Sequence, residues 1–122
     1  MKDLLLQIKQ LKVLVIGDVM LDRYVIGEVN RISPEAPVPV ISVNQEKTVA
    51  GGAANVALNA ASLGATVEVC GWFGKDSTGE KLKRILEAKN IFVDESFSFS
   101  DAPTICKTRV MSSNQQICRV DR

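Results

Sequence analysis

The chain has 122 residues, enough for one domain or part of one, and it is 46% apolar and 24% charged with a formal net charge of +1, the profile of a globular protein. Its 15 basic residues face 14 acidic ones spread along the sequence, which excludes the concentrated basic footprint of a nucleic-acid binder. There is no histidine, and Cys70, Cys106 and Cys118 show no CxxC spacing, so a zinc site is excluded and each cysteine is expected to be a reduced, small, buried apolar residue of a cytoplasmic protein.

The opening MKDLLLQIKQL sets Leu4, Leu5, Ile8 and Leu11 at helical spacing. Its interspersed charges are wrong for a secretory signal, and no later stretch is long and apolar enough to span a membrane. KVLVIG (12–17) is an unbroken apolar run bounded by glycine, which predicts a buried central strand. GDVMLDRY follows directly, so Asp18 and Asp22 are expected at the C-terminal end of that strand, where open α/β sheets bind ligands. A carboxylate that accepts hydrogen bonds from two neighbouring hydroxyls suits a sugar, although each aspartate also fits an ordinary turn or cap. Residues 24–49 then break into short alternating pieces, YVIGEV and PVISVNQEKTV, joined by SPEAPVP. Prolines deny donors to a sheet interior, so exposed strands with a stiff connector at an edge are predicted.

VAGGAANVALNAASLGA (49–65) predicts a helix from about residue 53 to 63, stopped by Gly64. Gly51 and Gly52 before it permit a tight turn and let a ligand approach the main chain, because no Cβ stands in the way. Asn55, in the first turn, is placed to offer its amide to a hydroxyl-rich ligand, and the helix start supplies free N–H groups. A loop and helix packed for structural reasons alone fit this stretch equally well. GxGxxG is absent, and GWFGKDST has Asp76 after Lys75 where a Walker A loop requires Ser or Thr, so both nucleotide motifs are set aside. TVEVCGW reads as a strand, and DSTGEKLKRILEAKN as an amphipathic helix with Leu82, Ile85, Leu86 and Lys89 in helical register and Asn90 as its stop. After an irregular polar passage (94–103), TICKTRVM and QICRVDR flank SSN and predict a β-hairpin whose register is open. Lys107, Arg109, Arg119 and Arg122 on this hairpin are candidates to grip a phosphate, or else the solubilising charges of an exposed hairpin. The chain ends within a strand, at CRVDR, and strands alternating with helices need cover on both faces, so the N-terminal part of a larger α/β domain is expected.

The glycine pair, Asn55, Ala57, Gly64 and Gly74 in AGGAANVALNAASLGATVEVCGWFG match the N-terminal signature of the ribokinase-like carbohydrate kinases at every spacing, and the chain resembles that family over essentially its whole length. GDVMLDRY, RISPEAPVPV, GGAANVALNAASLGA and SSNQQICRVD are similar to the branch that acts on a heptose 7-phosphate in lipopolysaccharide core synthesis, whose kinase domain is commonly followed by an adenylyltransferase. The fold this resemblance implies is α/β: residues 1–122 form the N-terminal part of a three-layer sandwich, with an incomplete central sheet and a small β-sheet lid from about 24–49 and 104–122. It implies ATP-dependent phosphorylation of a sugar phosphate, with ATP and Mg2+ as cofactors of the complete enzyme, a homodimer through the lid, and neither nucleic acid nor membrane as partner. Carried onto matching positions, Asp22 binds sugar hydroxyls, Gly51 and Gly52 line the sugar through their backbone, and Asn55 hydrogen-bonds it. Asp18 is a further candidate, and Lys107 and Arg109 are expected near the 7-phosphate. The family's catalytic aspartate sits in a GAGD-type motif that this sequence lacks, so no catalytic residue, nucleotide cleft or useful rate is expected of this chain alone. The alternatives are a non-catalytic module that binds a sugar phosphate or dimerises, and another sugar kinase of the same family.

Overall fold

A computed structural model describes residues 1–98 and 101–122. The elements run α1 (Lys2–Ile8), β1 (Lys12–Ile16), β2 (Val19–Ile32), β3 (Pro39–Gly52), α2 (Ala53–Ser62), β4 (Thr66–Cys70), α3 (Ser77–Glu87), β5 (Phe92–Asp94), one 3-10 turn (Glu95–Phe97), β6 (Cys106–Ser112) and β7 (Gln115–Asp121). They form two sheets. Strands β1, β4 and β5 pair in parallel, in the order β1-β4-β5, as the strand–helix–strand pattern demands. The second sheet has the order β3-β2-β6-β7, with β2 antiparallel to β3 and parallel to β6.

The core forms where the base of this second sheet meets α2, α3 and the parallel strands. Val19 and Leu21 of β2 and Ala50 of β3 pack there with Val67, Val69, Phe73 and Cys106. Helix α2 buries only Ala54 and Ala57, and these short side chains let its axis lie close to the strands. Helix α3 buries Leu82 and Leu86, one turn apart, and keeps Lys81 and Arg84 in water. Asp76 caps it, accepting the Gly79 N–H at 2.7 Å. Asn90, in the left-handed region with φ 57°, follows the last turn as the stop signal predicts.

Three sequence expectations can be set against the structure. KVLVIG is a strand, as expected; among the described residues β1 pairs with β4 and is covered on one face, where Val13 and Val15 touch the core, while Leu14 and Ile16 are 56% and 73% exposed. An apolar run encodes two faces suited to burial, and among the described residues nothing lies over the second. By register Leu14, Glu68 and Phe92 share that open face. Secondly, Asp22 lies within β2, which begins at Val19, so the long strands of the second sheet start at the core and not at residue 24. Thirdly, Cys70 and Cys106 are buried but Cys118 is exposed, because it sits on β7, an edge strand exposed along its whole length. Burial and the nearby carboxylates of Asp94 and Glu68 push the Cys70 thiol up from its ordinary pKa. No helix among the described residues is long and apolar enough to cross a membrane.

The hairpin register is now fixed. Ser113 and Asn114 both adopt positive φ, 48° and 64°, which closes β6 to β7 through a two-residue turn whose twist matches the strands. Lys107 therefore faces Asp121 and Arg109 faces Arg119, with a bulge beyond Val110.

Candidate functional site

Residues paired across a sheet, and residues two apart along a strand, share a face. Asp22 is paired with Val49 on β3 and Lys107 on β6, and Tyr24 with Lys47 and Arg109. Extending the register through β7 adds Asp121 beside Lys107 and Arg119 beside Arg109. One face of the second sheet thus gathers four cations and two carboxylates close to the start of α2.

Four of these charges meet directly, as two ion pairs. Arg109 donates from Nη1 to Asp22 Oδ1 at 3.1 Å, and the two side chains are only 23% and 19% exposed. The guanidinium also lies 5.5 Å from the centre of the Tyr24 ring. The Asp22 hydrogen bond raises the Arg109 pKa above its ordinary value against the opposing effect of burial, with the charges of Asp22, Tyr24 and Asp121 adding to the rise. Arg109 is therefore a permanent cation. The pair uses one of its five N–H donors and leaves others for a ligand. Arg119 pairs with Asp121 through Nε at 2.9 Å and Nη2 at 3.0 Å on the exposed edge.

The glycine pair has two different jobs. A Cβ on Gly51 would lie 2.6 Å from Asp22 Oδ2, so the missing side chain is what allows the carboxylate to rest over the end of β3. Gly52 has φ 57°, and a Cβ there would collide with the Asp18 carbonyl. That carbonyl accepts the Ala53 N–H at 2.8 Å, which latches the loop after β1 to the start of α2. Helix α2 has no side-chain cap, so the first-turn amides beyond Ala53 remain open to other acceptors.

Of the residues singled out from the sequence, Asp22, Gly51, Arg109 and, by register, Lys107 come together on one sheet face. Asp18 and Gly52 meet at the helix start through backbone atoms, and the Asp18 side chain is exposed. Asn55 is also exposed and lines a separate groove with Leu58, Asn59, Ser62 and Lys89. Arg122 lies on the opposite face of the sheet from Lys107, since its backbone pairs with that of Cys106.

The supporting node was not apparent from the sequence. Thr104, fully buried, accepts the Gly74 N–H at 3.0 Å and donates its hydroxyl to Asp76 Oδ1 at 2.8 Å, while its own N–H reaches Asp76 Oδ2 at 2.8 Å. Burial opposes ionisation of Asp76, but the hydrogen bonds from Gly79 and Thr104, with the charge of Arg122, hold its carboxyl below the ordinary carboxylate value of 3.8. Two residues on, Cys106 begins the strand that carries Lys107 and Arg109. An aspartate at a helix N-cap was the only local signal of this node.

Residues 10–121 match the model of the pfkB family carbohydrate kinases, and the chain belongs to that family. It is 54% identical over 110 residues to Bifunctional protein HldE of Hydrogenovibrio crunogenus, an alignment that covers 90% of this chain and 22% of that protein. It is 53% identical over 116 residues to Bifunctional protein HldE of Haemophilus influenzae, covering 94% and 24%. The chain thus spans about a quarter of the length of these relatives. Among solved structures, a carbohydrate kinase from Agrobacterium tumefaciens superposes with a TM-score of 0.76 at 24% identity, covering 92% of this chain and 35% of that one. Arabidopsis thaliana ribokinase complexed with ribose and ATP superposes with a TM-score of 0.72 at 24% identity, covering 92% and 35%. The architecture is ribokinase-like, and the described residues are a part of that fold.

Proposed function

We propose that this chain carries the sugar-phosphate-binding face of a kinase that transfers a phosphoryl group from ATP to the anomeric hydroxyl of D-glycero-β-D-manno-heptose 7-phosphate, giving the 1,7-bisphosphate for lipopolysaccharide core synthesis. The observation that carries this reading is the Asp22 carboxylate resting over Gly51 beside Arg109 and in register with Lys107. The division of labour follows from charge. Asp22 accepts hydrogen bonds from sugar hydroxyls, its orientation held by Arg109, and Gly51 leaves room for that carboxylate over the end of β3. Lys107 and the remaining donors of Arg109 attract the phosphate at the far end of the sugar. The HldE relatives, more than half identical over the matched region, and the heptose-branch motifs support this substrate over ribose or fructose.

ATP supplies the phosphoryl group, as the nucleotide named with the Arabidopsis ribokinase structure suggests. Among the described residues no three His, Cys, Asp or Glu side chains are grouped to hold a metal, and no step of the transfer is assigned to them. Their work is to bind and orient the acceptor, which in phosphoryl transfer is a large share of catalysis. The second sheet serves as the lid over the sugar and pairs with the lid of a second copy through the exposed Ile32, Val38 and Val43 at its far end. Sedimentation of the chain as a monomer at all concentrations would remove the dimer from this account. The substrate assignment is tested by calorimetry with heptose 7-phosphate, the unphosphorylated heptose and fructose. Heptose 7-phosphate is expected to bind at least about tenfold more tightly than either, on the order of 1.4 kcal/mol or more, and equal affinities would refute it.

A further inference from the structure

We propose that Tyr24 is a positioning residue: its ring fixes the guanidinium of Arg109 in the orientation that favours a phosphorylated sugar over the same sugar without its phosphate. The inference deepens the sugar-phosphate reading of this sheet face and rests on it.

The register makes Tyr24 the direct neighbour of Arg109 across β2 and β6, whereas Asp22, to which Arg109 donates, lies in the next row of that face, opposite Lys107. The Arg109 side chain therefore runs along the sheet, from its own row toward that of Asp22. Its own row also holds a second guanidinium, since Arg119 faces it from β7. Like charges directly opposite each other repel, and Arg119 is held on its side by Asp121. On the β2 side, the guanidinium carbon of Arg109 lies over the Tyr24 ring, 5.5 Å from its centre, within the range at which an aromatic face attracts a cation. The Arg109 side chain is 23% exposed, so water only partly screens that attraction.

The hydrogen bond to Asp22 joins one donor to one oxygen, Nη1 to Oδ1 at 3.1 Å. Two parallel bonds to a carboxylate would set the plane of a guanidinium, but a single bond leaves it free to swivel about the contact. The ring supplies the second constraint. Held at both points, the guanidinium keeps its remaining donors available, and a phosphate meets a cation already oriented, which lowers the ordering cost of binding.

The test uses the isotopically labelled 122-residue chain with Tyr24→Leu, which stays apolar but loses the ring, and Tyr24→Phe, which keeps it. NMR reads the Arg109 Nε–H without ligand, and calorimetry reads heptose 7-phosphate and the unphosphorylated heptose. Tyr24→Leu should move the Nε–H signal and weaken heptose 7-phosphate about fivefold, as for a partly buried cation–π contact, while changing the unphosphorylated heptose by less than about twofold. Tyr24→Phe should retain the signal and stay within about twofold in affinity, because the ring face and not the hydroxyl holds the cation. In an Arg109→Gln background, Tyr24→Leu should cost nothing further. An Nε–H signal unmoved by Tyr24→Leu, equal weakening by the Leu and Phe variants, or an additive loss in the Arg109→Gln background would overturn the proposal. A parent chain that binds neither sugar would refute the sugar-phosphate reading instead; an Nε–H signal lost in Tyr24→Leu and kept in Tyr24→Phe would still assign the ring its hold on Arg109.

Discussion

Thr104→Val isolates the node that ties the start of β6 to α3. The substitution keeps the shape of the side chain and deletes only a hydroxyl, at a position with 0% exposure. Two losses follow. The Gly74 N–H, which bonds the hydroxyl at 3.0 Å, is stranded in a buried site, and Asp76 Oδ1 loses a donor at 2.8 Å. An unsatisfied buried N–H costs about 1–3 kcal/mol and a hydrogen bond to a charged acceptor about 1.5–3 kcal/mol. These terms belong to one network and do not simply add, and the new methyl gains back up to about 0.8 kcal/mol of burial. The net expectation is a loss of roughly 2–4 kcal/mol, or a fall in Tm of about 6–15 °C for a chain of this size. Urea unfolding followed by circular dichroism reads it directly, with the m-value unchanged because the surface exposed on unfolding is the same. A loss below about 1 kcal/mol would show that the buried hydroxyl is not holding Gly74 and Asp76 in place, and the account of how β6 is positioned would fail.

Other outcomes follow from the same geometry. Asp76 has its carboxyl pKa held below 3.8 in the folded chain, so its stabilisation is complete above that ordinary value and is lost as pH falls through the lowered folded value. Asp76→Asn should therefore unfold more easily than the parent chain at pH 7, with the gap closing below about pH 4; a gap that stays constant down to pH 2 would contradict the assignment. Gly51→Ala places a methyl 2.6 Å from Asp22 Oδ2 and displaces that carboxylate from Arg109. Its stability cost should be modest, about 1 kcal/mol, while its effect on sugar-phosphate affinity should match that of removing Asp22. Iodoacetamide should label Cys118 rapidly and Cys70 only on unfolding, since Cys118 is exposed and the Cys70 thiol is buried and kept protonated. Equal rates in the native chain would show that the parallel strands open freely.

How much of this was legible in the sequence depends on how local each signal is. Helices α2 and α3 and the closing hairpin were written in short-range terms: alanines and leucines at helical spacing, an aspartate before the turn, asparagines able to take positive φ. The glycine pair pointed to close approach without revealing that Gly51 makes room for Asp22 and Gly52 for the Asp18 carbonyl, because those neighbours lie about 30 residues away along the chain. The ion pair between Asp22 and Arg109 was invisible for the same reason. It depends on β2 lying parallel to β6, and until the two-residue turn fixed the register, nothing said which basic residues shared a face. The apolar run of strand β1 reports two faces fit for burial, of which the described residues cover one. Cys118 was misjudged because an edge position is a property of the sheet and not of the strand's own residues. Asn55 lines a groove that does not include Asp22.

The most direct measurement is a calorimetric titration of D-glycero-β-D-manno-heptose 7-phosphate into the chain and into its Asp22→Ala variant. The account predicts saturable binding that weakens at least about tenfold in the variant, since a charged hydrogen bond contributes on the order of 1.5–3 kcal/mol. Identical affinities in the two proteins, or no binding to either, would contradict the assignment of this sheet face to the sugar.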